Sequence, residues 1–224
     1  MPASTQRSGR ARAAALPTAA VLFFLYFVAA LGAMHLLRPD YTIVDHMISD
    51  YAVGRSGWVM TTAFAAVALG CLALALGLFR DGPRSWLTRI GAGLLLVACV
   101  GLIVTATYQT DLETAPSTPT GDIHAISFLV NITSLLLAAI CLGLGTAASP
   151  HWRRRRTPAL ALAGLLVITF AAQIMTLHKG APYGLTNRLF VATLMLWLIV
   201  TSLWLRTSAR TAAALLPTSE GTRL

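Results

Sequence analysis

The sequence predicts an all-α, polytopic membrane protein: six transmembrane helices with both termini inside (N-in/C-in). Two observations predict it. The first is apolar content in long runs. The 224-residue chain is 56% hydrophobic and 11% charged, with mean hydropathy +0.71, more apolar than a soluble domain of this size. Its apolar residues gather into Leu16–Leu37, Trp58–Phe79, Arg89–Gln109, Ile123–Thr146, Pro158–Leu177 and Arg188–Leu205, each near the roughly 20 residues that cross a bilayer.

The second observation is where the charges fall. Arg7, Arg10 and Arg12 precede the first run; Arg80, Arg84 and Arg89 lie between the second and third. Arg153 to Arg156 lie between the fourth and fifth, and Arg206, Arg210 and Arg223 follow the sixth. Thirteen of the seventeen basic residues thus share one side, and Arg38, Arg55, Lys179 and Arg188 hold the other. This asymmetry places the termini in the cytoplasm. It also accounts for the net charge of +9 through topology and anionic lipid, with no nucleic-acid partner. Asp40, Asp45, Asp50, Asp111, Glu113 and Asp122 fall outside, as do His35, His46, His124 and His178; Asp81, Glu220 and His151 fall inside. Cys71, Cys99 and Cys141 sit within apolar runs and read as packing residues rather than disulfide partners.

Taken in order, residues 1–15 form a basic tail expected to be disordered. The first run is too long for a signal-peptide core, so it is a retained helix. Pro39 stops it, and the loop from Arg38 to Gly57 carries Asp45-His46-Met47-Ile48-Ser49-Asp50-Tyr51. If that stretch is helical, Asp45 shares a face with Ser49, and His46 with Asp50; interleaved Ile43, Val44, Met47 and Ile48 suggest an interfacial segment. The second helix is rich in small residues that favour close packing. The third ends in Thr105, Thr107, Tyr108 and Gln109. The fourth opens at Asp122 and carries His124, Ser127, Asn131 and Ser134 as one polar stripe running inward. The fifth follows the tetra-arginine turn, where anionic lipid is the expected partner, and carries Thr169, Gln173 and Thr176. The sixth begins near Arg188, and residues 207–224 form a cytoplasmic tail. Gly57, Gly121 and Gly184 each precede a returning helix, a hint of three repeated hairpins.

Polar groups inside membrane spans mark candidate sites. Here they cluster at the outer ends of three helices, beneath loops bearing His and Asp. The expected catalytic set is His46, Ser49, Asp50, Asp111 and His124. The expected substrate-binding set is Tyr108, Ser127, Asn131, Gln173 and Arg188. His46, Asp50, His124 and His178 are candidate ligands for a divalent metal such as zinc, which would activate water. Competing structural readings stand beside these. The histidines serve equally as headgroup-zone residues, Asn131 and Gln173 as interhelical glue, and Ser49 as a cap. Arg188 suits a headgroup anchor, a partner for an outer aspartate, or an anion ligand.

The whole chain resembles the prokaryotic membrane proteins grouped as domain-of-unknown-function family 998. The resemblance rests on the six-helix layout, Ile48-Ser49-Asp50 with Trp58 behind it, Asp111 leading to Gly121-x-x-His124, and Gly184-x-x-x-Arg188. It covers roughly residues 16–206, the transmembrane domain, and implies no reaction. The Ile-Ser-Asp step is also similar to one in the eukaryotic Frag1/DRAM/Sfk1-type proteins, some of which are linked to lipid remodelling. The expected function is a membrane-embedded hydrolase or lipid-modifying enzyme of a bacterial plasma membrane. The alternatives are a protein that binds or moves a small molecule or lipid, and a membrane scaffold subunit.

Overall fold

A computed structural model describes residues 2–112, 115–178 and 180–215, with side chains from 14 to 214. Glu113, Lys179, Glu220 and Arg223, four of the charges placed above, lie outside the described residues, as do the side chains of Arg7, Arg10 and Arg12. Among the described residues there is no strand. The helices are α1 (Pro2–Leu37), α2 (Gly57–Asp81), α3 (Trp86–Thr107), α4 (Pro119–Gly145), the one-turn α5 (Pro150–Arg153), α6 (Arg156–Met175) and α7 (Tyr183–Leu215). Six of them are long and apolar enough to cross a membrane, over Ala14–Leu37, Gly57–Asp81, Trp86–Thr107, Pro119–Ala148, Arg156–Met175 and Tyr183–Ala214. Each coincides with one of the six apolar runs, and the protein is a multi-pass membrane protein.

The helix ends follow local chemistry. Ser85 caps α3, its hydroxyl accepting from Leu87 N at 3.2 Å. Thr118 caps α4 by accepting from Gly121 N at 3.1 Å, with Pro119 in the first turn, where its missing N–H costs nothing. The backbone of α1 is helical from Pro2, through an Ala/Arg-rich stretch of strong helix formers.

The six spans close into a ring. α1 packs on α2, α2 on α3, α3 on α4, α4 on α6, α6 on α7 and α7 back on α1, while α2 and α7 also touch across the ring. In lipid the drive for this is close packing rather than expulsion of apolar surface. α2 is accordingly the most enclosed span, with 67% of its apolar window buried. The edge of the Phe24 ring lies where a side chain at Gly70 would stand. α6 is the least enclosed, at 28%, so it forms the thinnest wall of the ring.

The described residues of the loops 38–56, 108–118 and 176–182 gather at one end of the bundle, the loop face. The connections rich in arginine gather at the other, the arginine face. On the loop face, glycines at the starts of α2, α4 and α7 admit close approach. A Cβ at Gly57 would collide with the Ala52 carbonyl, and one at Gly121 with the Asp111 carboxylate. One at Gly184 would stand 2.5 Å from His46 O and 2.7 Å from the carbonyls of Ile43 and Val44. The three glycines noted in the sequence thus share one job: each lets a loop group rest on the first turn of a returning helix.

Candidate functional site

The first loop is built on side-chain-to-backbone hydrogen bonds. Arg38, at the end of α1, holds Asp40 in a fork, with Nε to Oδ1 at 3.0 Å and Nη2 to Oδ2 at 2.8 Å, and donates from Nη1 to Val53 O at 2.7 Å. This bonding holds the Asp40 carboxyl below the usual carboxylate range. The Arg38 guanidinium lies 3.9 Å over the Tyr41 ring, whose other neighbours include the His46 ring, stacked at 4.4 Å. Thr42 Oγ1 donates to Asp45 Oδ2 and accepts from Asp45 N, and Thr42 N donates to His46 Nδ1.

These local bonds compete with helix formation. Residues 42–47 therefore run as turns and extended chain, and only Ile48–Ala52 winds, as a 3₁₀ helix. The helical pairing of Asp45 with Ser49 and His46 with Asp50 does not form. Asp50 instead accepts from Met47 N through Oδ2 at 2.8 Å, and Ile48 N donates to Asn187 Oδ1 of α7 at 3.0 Å.

Arg188 locks this loop onto the bundle. Its Nη1 donates to the carbonyls of Ile43, His46 and Gly184 at 2.9, 2.6 and 2.9 Å, its Nη2 to Tyr51 Oη at 3.1 Å, and its Nε to His35 Nε2 at 3.0 Å. A guanidinium only donates, so His35 Nε2 is the acceptor, and His35 is a neutral ring whose Nδ1–H bonds Leu31 O at 2.7 Å. Among the described residues the ion pairs are Arg38–Asp40 and Arg80–Asp81. Arg188 thus disperses its charge over carbonyl, phenol and imidazole acceptors.

Two cavities adjoin beneath the loop. The upper one, about 380 Å³, is lined by Met47, Asp50, Thr110, Asp111, Leu177, His178 and Tyr183. The lower one, about 320 Å³, lies inside the ring, and all six spanning helices or their ends contribute to it. Phe27, Phe64, Phe128, Leu129, Ile174 and Val191 make it apolar, and Ser49, Thr105, His124 and Asn187 supply scattered polar groups. Met47, Thr110 and Leu177 line both. Leu129 on α4 and Ile174 on α6 are 54% and 45% exposed, so the lower cavity reaches the lipid-facing surface between those helices.

The polar stripe of α4 faces inward, with His124, Ser127, Asn131 and Ser134 all buried. Ser127 Oγ donates to His124 O at 2.8 Å, which uses its single proton. Thr105 must then donate to Ser127 at 2.7 Å, and Asn131 Nδ2 donates to Thr105 at 2.9 Å. This directed chain ties α3 to α4. His124 Nδ1 lies 2.8 Å from Tyr108 O; a carbonyl only accepts, so Nδ1 carries a proton.

The expected site residues therefore divide. Asp50, Asp111 and His178 line the upper cavity, and His124 and Ser49 the lower. His46 is in neither lining and stacks on Tyr41. Asp111 spends both oxygens on Thr118, accepting from its N at 2.7 Å and its hydroxyl at 2.8 Å. Among the described residues, no three His, Cys, Asp or Glu side chains form a group that could hold a metal ion. Of the expected substrate contacts, Tyr108 contributes its carbonyl to His124, Ser127 and Asn131 belong to the α3–α4 chain, and Arg188 is committed to the loop. Gln173 is fully buried with both amide atoms unpartnered. Sequence reasoning passed over the cavity's aromatic lining, Phe27, Phe64 and Phe128. In an apolar span a phenylalanine beside a void reads the same as one in contact with lipid.

Comparison with known proteins now adds the family. The family described as "Protein of unknown function (DUF998)" matches residues 6–204, and the chain belongs to it. No curated protein and no solved structure matches the chain.

Proposed function

We propose that this DUF998 protein binds one amphiphilic, lipid-like molecule drawn sideways from the outer leaflet. The apolar tail occupies the cavity among Phe27, Phe64, Phe128 and Val191, and the headgroup sits above it among Asp50, Asp111 and His178. The observation that carries this reading is that a polar and an apolar cavity adjoin, with Met47, Thr110 and Leu177 in the lining of both. Their sizes fall in the range of small-ligand sites. The described polar lining of the upper cavity is rich in acceptors, which favours a headgroup that donates hydrogen bonds, hydroxylated or amino. The exposed wall between α4 and α6 gives a route from lipid. The expected setting is a bacterial plasma membrane with the arginine face inside and the loop face outside, as the distribution of Lys and Arg favours. On the arginine face, Arg153, Arg154 and Arg156 draw anionic lipid by charge. Arg155 is partly committed to α7, donating to Trp204 O and Ser208 Oγ at 2.7 Å each.

A second reading, an enzyme that modifies the same amphiphile, is favoured by one observation. His124 lines the apolar cavity with its Nδ1–H held on Tyr108 O; in the neutral ring Nε2 is then the basic nitrogen, the group a general base needs.

The test is lipid retention. Native mass spectrometry of the detergent-purified chain is expected to find one bound lipid fewer in Ala125→Trp, which fills the mouth of the apolar cavity, than in wild type. Equal retention by a folded Ala125→Trp variant would sink the reading. If Ala125→Trp fails to fold, Leu129→Phe serves as the milder obstruction.

A further inference from the structure

On the opposite face, a cavity of about 540 Å³ lies at the turn from α2 to α3. Arg80, Arg84 and Arg89 line it with Ser85, Trp86 and Thr88. We propose that this cavity binds a phosphate group, carried by a phospholipid headgroup or free in solution.

Three features converge on that chemistry. The first is charge. Arg80 pairs with Asp81 at 2.8 Å, while Arg84 and Arg89 belong to no ion pair among the described residues. The turn therefore carries a net excess of two positive charges, on groups whose planar forks match phosphate oxygens. The second is the start of α3, a 22-residue helix capped by Ser85, whose first-turn amides and dipole favour an anion. The third is position. Trp86 and Phe79, 70% and 49% exposed, flank the cavity as an aromatic belt does at a membrane interface. That is the level at which lipid phosphates stand.

This site differs from the tetra-arginine turn. There, attraction is a matter of summed charge and favours anionic headgroups of any shape. At the α2–α3 turn a cavity and a helix terminus add shape and donors to the charge.

The experiment uses the full chain in detergent and titrates phosphatidic acid, phosphatidylglycerol or phosphatidylcholine, read by native mass spectrometry. Wild type is expected to retain one phosphatidic acid in preference to phosphatidylcholine. Arg84→Gln/Arg89→Gln is expected to lower that retention by about tenfold or more, since each basic contact near a membrane surface contributes severalfold. Arg153→Gln/Arg154→Gln removes the same charge from the same face and is expected to leave the headgroup preference intact. Inorganic phosphate that displaces the lipid identifies the free ion as a sufficient ligand; failure to displace it identifies the phospholipid headgroup as the source. Equal losses from the two double variants, or a wild type without preference for phosphatidic acid, would overturn the proposal. All four arginines are exposed, so both double variants are expected to fold, which elution as a single species checks.

Discussion

Arg188 Nε donates to His35 Nε2 at 3.0 Å, and that contact joins the last spanning helix to the first. Because the guanidinium also holds Ile43 O, His46 O and Tyr51 Oη, one side chain sets both the closure of the ring and the seat of the loop above the cavities. Arg188→Lys keeps the charge and loses the fork. It is expected to cost about 2–4 kcal/mol, since hydrogen bonds to charged groups contribute about 1.5–3 kcal/mol each and do not add fully. His35→Gln, which retains an acceptor, is expected to be milder than His35→Leu. Thermal unfolding in detergent reads the three, and a His35→Leu midpoint equal to wild type would remove His35 from this account.

Gly184 is a test of close approach. Gly184→Ala sets a methyl against three backbone carbonyls at 2.5–2.7 Å, and overpacking of this kind costs about 1–3 kcal/mol. Gly164→Ala, in α6, meets nothing within 4 Å and is expected to be neutral or stabilising by up to about 1 kcal/mol. The same unfolding measurement on the pair separates crowding from helix propensity.

The chain from Asn131 through Thr105 to Ser127 is expected to couple α3 to α4 modestly. A double-mutant cycle of Thr105→Val with Asn131→Leu should return a coupling near 0.6 kcal/mol and below about 1.7 kcal/mol, the span of membrane hydrogen bonds. A coupling of zero would mean the two helices hold together by packing alone.

Gln173 carries a buried amide with neither atom satisfied. Gln173→Met keeps the volume and removes the unmet polar atoms, so a gain of about 1–3 kcal/mol is expected. A loss of stability in Gln173→Met would show that the amide holds water or ligand in the folded protein.

Asp40 makes the loop sensitive to acid. Its carboxyl is held below the usual range by Arg38, so the folded state binds a proton less readily than the unfolded one. The stabilising effect is present above the ordinary carboxylate range and is lost as pH falls through the lowered folded value. The thermal midpoints of wild type and Asp40→Asn are therefore expected to differ at neutral pH and to converge in acid. A gap that persists under acid would assign the difference to something other than this pair.

The sequence by itself determined the membrane architecture. Six apolar runs of spanning length became six helices, because in lipid the backbone must satisfy its own hydrogen bonds and a helix does so locally. The inward stripe of His124, Ser127, Asn131 and Ser134 was legible for the same reason: helical periodicity places residues three and four apart on one face. The special role of Gly57, Gly121 and Gly184 was visible as a repeated position, though not as a mechanism.

Only the tertiary structure decided which polar groups meet. His46 and Asp50 are four residues apart, yet Thr42 and Asp45 hold the chain in turns, so the two side chains go to different neighbours. Arg188 and His35 are separated by nearly the whole chain and meet because the ring closes. The adjoining cavities are voids left among six helices and two loops, and no local sequence pattern records a void. Spacing within one helix is a local property of the backbone, whereas the volume between helices depends on every side chain that borders it at once.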